Sequence, residues 1–381
     1  IFNMSFYNSC QPTNIKQKYG EFDVITFLMK MPTGRQCKAG SMRINGFLKL
    51  YKTSPAGVTS AIDGNEGIML DQFAGVHSFF RNTNSTINSR TVESLQNYPR
   101  YVSMVSQHDF SPESLITNSL NAPELKGALN TYLLNGSNAI KGIPFSMKPQ
   151  ICVNKSSADL PQSKFQEIQV MVQLGSAVEA LYISGAVNAQ ISSLSYELTD
   201  LQLSWMETME VPSNEPVVLN TVSNMVQTIT GLSNNIQVVS STAYNALSMS
   251  FMHQSSVKSL YNNNMLCEYI PDISRCEFLV NGVDAPLSYA ITTPAYQDIA
   301  LNYYKSLSSS GNAIWGLPAG EKNSIMNRFY SENGSFGIGS AFSDSINDKL
   351  QVALTIDDNT QHNPSSNPID CFIYTNGYIS L

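Results

Sequence analysis

LVNGVDAPL, residues 279–287, sets an Asn-Gly pair between apolar residues, and the same pair recurs at 45–46 inside SMRINGFLKL, residues 41–50. Asn-Gly between apolar flanks is a strong short-range signal for a β-hairpin, because a type I′ turn needs positive φ at both central positions. One turn occurring twice, far apart in one chain, raises the expectation that a β-rich unit occurs twice.

Period-two alternation carries that expectation outward. EFDVITFLMK (21–30), SMRINGFLKL (41–50), FQEIQVMVQL (165–174) and SYELTDLQLSW (195–205) read as half-buried strands, as do DKLQVALTID (348–357) and IDCFIYTNGYISL (369–381). Ile168, Val170, Val172 and Leu174 share one face of the third. In the fourth, Tyr196 and Leu198 share a phase that Leu201, Leu203 and Trp205 do not, so a β-bulge is expected at Thr199–Asp200. The order of hairpin, amphipathic strand and closing strand is the same in both halves: 45–46, 168–174, 194–205, then 281–282, 350–356, 371–381. Helical patterns are short. TPAYQDIALNYYKSLSSSG (293–311) has an N-cap Thr, a Pro and a closing Gly, and SPESLITNSL (111–120) and APELKGALNTYLLNG (122–136) are weaker cases. Helices so few disfavour a βαβ series and with it a parallel α/β sheet.

The chain has 381 residues, enough for two domains. METMEVPSNEPVVLN (206–220), with two Pro and no alternation, reads as the boundary. The expected division is an N-terminal arm at 1–20, a first β-sandwich at 21–210 with the longer loops, a linker at 211–220 and a second sandwich at 221–381. IFNMSFYNSCQPTNIKQ (1–17) holds aromatics without strand periodicity and reads as an arm available to a neighbour or an internal membrane.

Charged residues make up 13% of the chain, about half the usual share, yet mean hydropathy is −0.12 because Asn, Ser, Thr, Gln and Tyr fill the polar positions. Eighteen Tyr, 17 Phe and 15 Met with so little charge fit surfaces covered by neighbouring subunits. A net charge of −7, with 22 Lys and Arg that never form a run, argues against direct nucleic-acid binding. No apolar stretch reaches the roughly 18 residues of a membrane span.

Chemistry is sparse. There is no nucleophile elbow, and GSFGIGSAF (334–342) lacks both the P-loop Lys and dinucleotide spacing. His108 alone among four histidines has an acidic neighbour, Asp109, and adjacent side chains in extended backbone point apart. DGNEG (63–67) and Asp357-Asp358 lack EF-hand ligand spacing. Asn-x-Ser/Thr sequons at Asn3, Asn84, Asn135, Asn154 and Asn333 are what an Asn- and Ser-rich chain yields by chance. The cysteines at 10, 37, 152, 267, 276 and 371 form no CxxC pair; Cys267 and Cys276 could bridge a hairpin, or all six could be free thiols. No catalytic, cofactor-binding or metal residue is nominated, and no enzyme activity is expected.

A tandem all-β duplication without chemistry resembles the double jelly-roll major capsid proteins of the adenovirus and tailless-phage lineage, with their virophage and polinton-like virus relatives. AGVHSFF (74–80) followed by VESLQNYPRY (92–101) resembles a first-barrel segment, and LPQSKFQEIQVMVQL (160–174) then YELTDLQL (196–203) its closing strands. FLVNGVDAPLSYAITTPAYQDIALNYYKSL (278–307) resembles the opening of the second barrel, and FGIGSAFSDSINDKLQVALTI (336–356) with the C-terminal strand its end. The resemblance implies two eight-stranded jelly rolls. It also implies homotrimers acting as pseudo-hexameric capsomers of an icosahedral virion, assembled inside the host cell, without cofactor or metal. Implied partners are neighbouring capsomers, penton and minor capsid or cement proteins, and an internal membrane touched by the arm. A carbohydrate-binding or adhesin module is the alternative, since jelly rolls are common there; a cupin-type enzyme would need a clustered His/carboxylate set that four scattered histidines do not suggest.

Overall fold

The computed structural model describes residues 5–62, 67–71, 74–106, 142–156, 158–183, 191–211, 213, 215–240, 242–255, 260–265, 273–284, 289–290, 306–307, 337–347, 349–358 and 363–381. Sixteen principal strands fall into two sets of eight. The first set is β1 (Phe6–Cys10), β2 (Val24–Lys30), β3 (Arg43–Thr53), β4 (Phe80–Ile87), β5 (Arg90–Leu95), β6 (Ile143–Met147), β7 (Glu167–Leu174) and β8 (Ser193–Met209). The second is β9 (Val218–Ile229), β10 (Ser233–Val238), β11 (Tyr244–His253), β12 (Ile273–Val280), β13 (Val283–Asp284), β14 (Gly337–Ile346), β15 (Leu350–Ile356) and β16 (Ile369–Ser380).

All the pairings between these strands are antiparallel. In the first unit they run β1-β8-β3-β6 in one sheet and β2-β7-β4-β5 in the other. Adding eight to each index gives the second unit, β9-β16-β11-β14 facing β10-β15-β12-β13. The fold is two jelly rolls in tandem. Short strands such as Arg35–Cys37 and Thr59–Ala61 extend the first unit's larger sheet.

Alternation in sequence becomes burial in space. Ile168, Val170, Val172 and Leu174 of β7 are buried, and face Leu48, Leu50, Leu198 and Leu203 of the opposite sheet within one apolar core. In the second unit Val352, Leu354 and Ile356 of β15 oppose Leu247, Met249, Phe251 and Ile373. A fully buried aliphatic side chain of this kind contributes about 1.5–3 kcal/mol.

The expected bulge is present. The β8–β3 register slips between Thr199 and Gln202, and Asp200 adopts φ +52°. It also corrects the reading of Asn45-Gly46. That pair lies inside β3, with Asn45 opposite Gln202 and Phe47 opposite Thr199, so Gly46 faces the bulge. The second pair behaves as expected: Asn281 and Gly282 take φ +52° and +80° between β12 and β13. Its counterpart in the first unit is Asn88-Ser89 between β4 and β5, with φ +47° and +67°. The turn recurs because the roll recurs, but the first copy is Asn-Ser.

Part of the expected arm is strand. β1 pairs Phe6 with Glu207 through Cys10 with Leu203, and the Arg35 guanidinium lies 3.8 Å above the Phe6 ring. As an edge strand its residues are mostly exposed on both faces, which hides any alternation. The second unit opens at Val218, inside the stretch expected as linker. The helical patterns at 111–120 and 122–136, His108 and Asp109 lie outside the described residues, as does 293–311 apart from the helical Ser306 and Leu307. A helix the sequence did not announce, α1 (Tyr98–Ser106), follows β5.

Candidate functional site

Among the described residues no group of three or more His, Cys, Asp or Glu is placed to hold a metal ion, and no helix is long and apolar enough to cross a membrane. Cys10, Cys37, Cys152, Cys276 and Cys371 are free thiols, all but Cys10 buried; Cys267 lies outside the described residues. Burial pushes the Cys37 thiol up to about 12, which suppresses the reactive thiolate. The polar chemistry of this chain is concentrated instead where the two rolls meet.

Helix α1 and strand β5 of the first roll pack on the outer face of the second roll's β9-β16-β11 sheet. Ser250 pairs with Phe372 and Ser248 with Tyr374, which puts both rings on the face away from the sandwich core. The Arg100 guanidinium stacks over the Phe372 ring at 4.1 Å, donates to the Met252 sulfur at 3.3 Å and donates to the Asn264 carbonyl. Arg100 is buried, so its stem supplies apolar contact while its head is spent on a ring and a backbone oxygen. Tyr101 packs on Tyr374 at 5.5 Å between centroids, and the Tyr374 hydroxyl donates to the Asn97 carbonyl at 3.2 Å.

Glu93 of β5 is the central staple. Only 3% exposed, its carboxylate accepts from the Cys152 amide at 2.7 Å and from the Val222 amide at 2.9 Å. One side chain thus ties β5, the 150–155 turn and β9 of the other roll. Burial raises its pKa above the ordinary carboxylate value, while Lys155 and the two amides oppose that rise. Burial alone would lower the Lys155 ammonium's pKa, but Tyr101 and Glu93 raise it, so the lysine keeps its charge. Its Nζ donates to the Tyr101 hydroxyl at 3.4 Å, 5.0 Å from that ring's centroid.

A second knot forms at Asp71. Its Oδ1 accepts from the Ala74 amide at 2.6 Å and the Ser103 hydroxyl at 3.0 Å, and its Oδ2 accepts from the Asn263 side chain at 2.8 Å. Asn264 donates to the Val178 carbonyl at 2.8 Å. The start of α1 is pinned by Tyr98, whose hydroxyl accepts from the Gln150 amide at 2.9 Å and shares a hydrogen bond with His77 Nδ1, 2.8 Å away. Burial lowers the His77 pKa to about 3, so the imidazole is neutral. Asn154, a nominal sequon, is buried with its amide bound to Met42 and Pro149, which leaves no room for a glycan.

Between the rolls a cavity of about 490 Å³ is lined by Tyr101, Val105 and Lys155 on one side and Asn220, Phe342 and Tyr378 on the other. None of the three buried charges at the seam, Asp71, Glu93 and Arg100, was singled out by the sequence. Their contacts across the seam, Asp71 with Asn263, Glu93 with Val222 and Arg100 with Asn264, join residues more than a hundred positions apart, so no spacing marks them.

No family model matches the chain, and no curated protein sequence does. Solved structures do. The Faustovirus major capsid protein matches over 100% of this chain and 91% of its own, with TM-score 0.61 and 7% identity. The mavirus major capsid protein matches over 98% and 90%, with TM-score 0.55 and 12% identity. A chain of the PBCV-1 virus capsid matches over 100% and 95%, with TM-score 0.55 and 9% identity. The likeness is one of fold, and it runs the length of both partners in each comparison.

Proposed function

We propose that this chain is a major capsid protein whose homotrimers, each with six jelly rolls around a three-fold axis, tile an icosahedral shell. One observation carries the reading: the same eight-strand order occurs twice, and the pair as a whole superposes on viral capsid chains from end to end. A single jelly roll serves many functions, but a locked tandem pair suits a building block that spans a third of a turn, three of which close into a pseudo-hexagon. The seam supports it. Glu93, Arg100 and Asp71 fix one mutual orientation of the rolls, and a hexagonal outline depends on that angle.

The surface fits the same use. Tyr7, Ile15, Phe22, Val211 and Val239 are large apolar side chains left exposed on the single chain and open to burial against neighbouring copies. On this reading the first roll ends with β8 and the second opens with β9. The partners are further copies, with penton, minor capsid or cement proteins at special positions and an internal membrane near the residues ahead of β1. The place is the virion shell, assembled in the host cell. The outward tower would come from the regions 54–70 and 103–145 of the first roll, less the parts the structure places in the body: the buried strand Ile68–Leu70, residues 103–106 at the end of α1 and residues 143–145 at the start of β6. No observation on the described residues favours a carbohydrate-binding module, and no catalytic, cofactor or metal role is proposed.

Size-exclusion chromatography with light scattering tests the reading. A particle of three times 41.9 kDa is expected, with larger assemblies on concentration; a stable monomer would overturn it.

A further inference from the structure

Strand β10 ends its sheet: it pairs with β15 from Ser233 to Val238, and among the described residues nothing pairs with its other edge. Its counterpart in the first roll, β2, is covered. There Pro12 bridges Phe27, the Thr13 amide donates to the Thr26 carbonyl at 2.8 Å, and the Asn14 side chain donates to the Val24 carbonyl at 2.6 Å. An extended stretch of the protein's own chain occupies that edge. In the second roll the connection from β9, which ends at Ile229, to β10, which begins at Ser233, is too short to do the same, and no other described residue lies along that edge.

Open edges are normally defended by Lys, Pro, a bulge or a covering segment. Among the described residues β10 has none of these. It reads Ser-Asn-Asn-Ile-Gln-Val, it pairs in regular register, and the outward side chains of Ser233, Asn235 and Gln237 are exposed. The absence of charge is not local: between Glu215 and Lys258 the sequence has no Asp, Glu, Lys or Arg. Val239, just past the strand, is 74% exposed.

We infer that β10 is an inter-subunit strand, pairing antiparallel with β10 of a second copy across a local two-fold axis and joining two five-stranded sheets into one of ten. In such an isologous contact each residue near the axis meets its own counterpart, so a charge there would face itself. A strand free of charge is what self-pairing requires, and Asn and Gln amides donate and accept at once, so they can pair with their own copies. Six residues span about 20 Å of ladder. Antiparallel self-pairing is two-fold and cannot lie on a three-fold axis. On the capsid reading, on which this placement rests, the contact therefore joins neighbouring trimers rather than chains of one trimer.

Two variants test it on the full chain. Asn235→Lys sets like charges across the axis; it should leave the trimer's mass and melting temperature unchanged and raise the concentration needed for association of trimers by about tenfold or more. Asn235→Cys, treated with a short bis-maleimide, should give a linked dimer that joins two trimers and is absent from the wild type. Asn235→Lys trimers that associate like the wild type, or no linked dimer at concentrations where trimers associate, would overturn the inference. In both of these cases trimers still associate, so the capsid reading stands; trimers that never associate further would overturn both. Monomers at every concentration would overturn the capsid reading instead, and the cross-link would still decide for or against the strand.

Discussion

Gly46 sits where a side chain would run into Leu201: a Cβ built on it would lie 2.6 Å from Leu201 Cδ2, with Phe145 Cζ and the Thr199 carbonyl each at 3.0 Å. The bulge of β8 projects Leu201 onto the one strand position opposite that has no side chain. Gly46→Ala is expected to destabilise by about 1–3 kcal/mol through overpacking. Gly282 is the contrast. A Cβ there meets nothing within 4 Å, so Gly282→Ala carries only the cost of φ +80°, about 1 kcal/mol. Denaturant unfolding of both variants checks the order.

Glu93 is expected to behave as a staple rather than a surface acid. Glu93→Ala strips the Val222 and Cys152 amides of their acceptor and leaves Lys155 without its counter-charge, a loss of about 3 kcal/mol. Glu93→Gln keeps one acceptor oxygen and should cost less. Differential scanning calorimetry of the two variants, with trimer mass as a second readout, tests this; equal and negligible effects would remove the seam's central element.

Acid should weaken the fold through His77. Its folded pKa is lowered to about 3 from an ordinary value near 6.5, so between those limits the unfolded chain binds the proton and the folded one does not. Stability therefore rises with pH across that window and is lost as pH falls, by up to about 1.4 kcal/mol per pH unit from this group. Urea midpoints at pH 7, 6, 5 and 4 should drop accordingly, and His77→Gln should flatten the profile.

Salt should not dissolve the trimer. With 13% charged residues, the contacts between copies are expected to be apolar and neutral polar, and screening weakens only exposed ionic terms. Trimer mass should hold from low salt to about 1 M, where the Debye length is near 3 Å. Dissociation on adding salt would mean ion pairs hold it.

Limited proteolysis of assembled particles should cut first within 54–70 and 103–145, the regions proposed as the tower, outside the buried strand Ile68–Leu70, α1 and β6. Particles cut elsewhere while both regions stay intact would place them inside the shell.

Much of the fold was legible in the sequence because a jelly-roll strand with one buried face writes its burial as alternation; β7 and β15 are the plainest cases. The bulge was legible because it shifts that phase. Asn45-Gly46 misled, since Gly serves close approach as well as positive φ, and the sequence does not distinguish the two uses. Asn88-Ser89 was missed for the reverse reason: Ser is an uncommon residue at positive φ. β1 escaped because an edge strand exposed on both faces has no alternation to show. The seam was not legible at all. Glu93 finds Val222 and Arg100 finds Asn264 only once both rolls exist, and nothing in the local sequence marks either as a partner.

The pairing of β1 with β8 has a consequence for how the chain is made. Phe6 finds Glu207, and no nearer residue can take its place on that edge. At roughly 5–20 residues per second, a ribosome needs about 10–40 s to synthesise the stretch between them. Through that interval the first roll cannot close. The nascent chain carries apolar strands without their partners, and β16 imposes the same delay on β9 in turn. A protein laid out this way folds late and non-locally, with high contact order, so its yield in the cell is set by what shields those waiting strands.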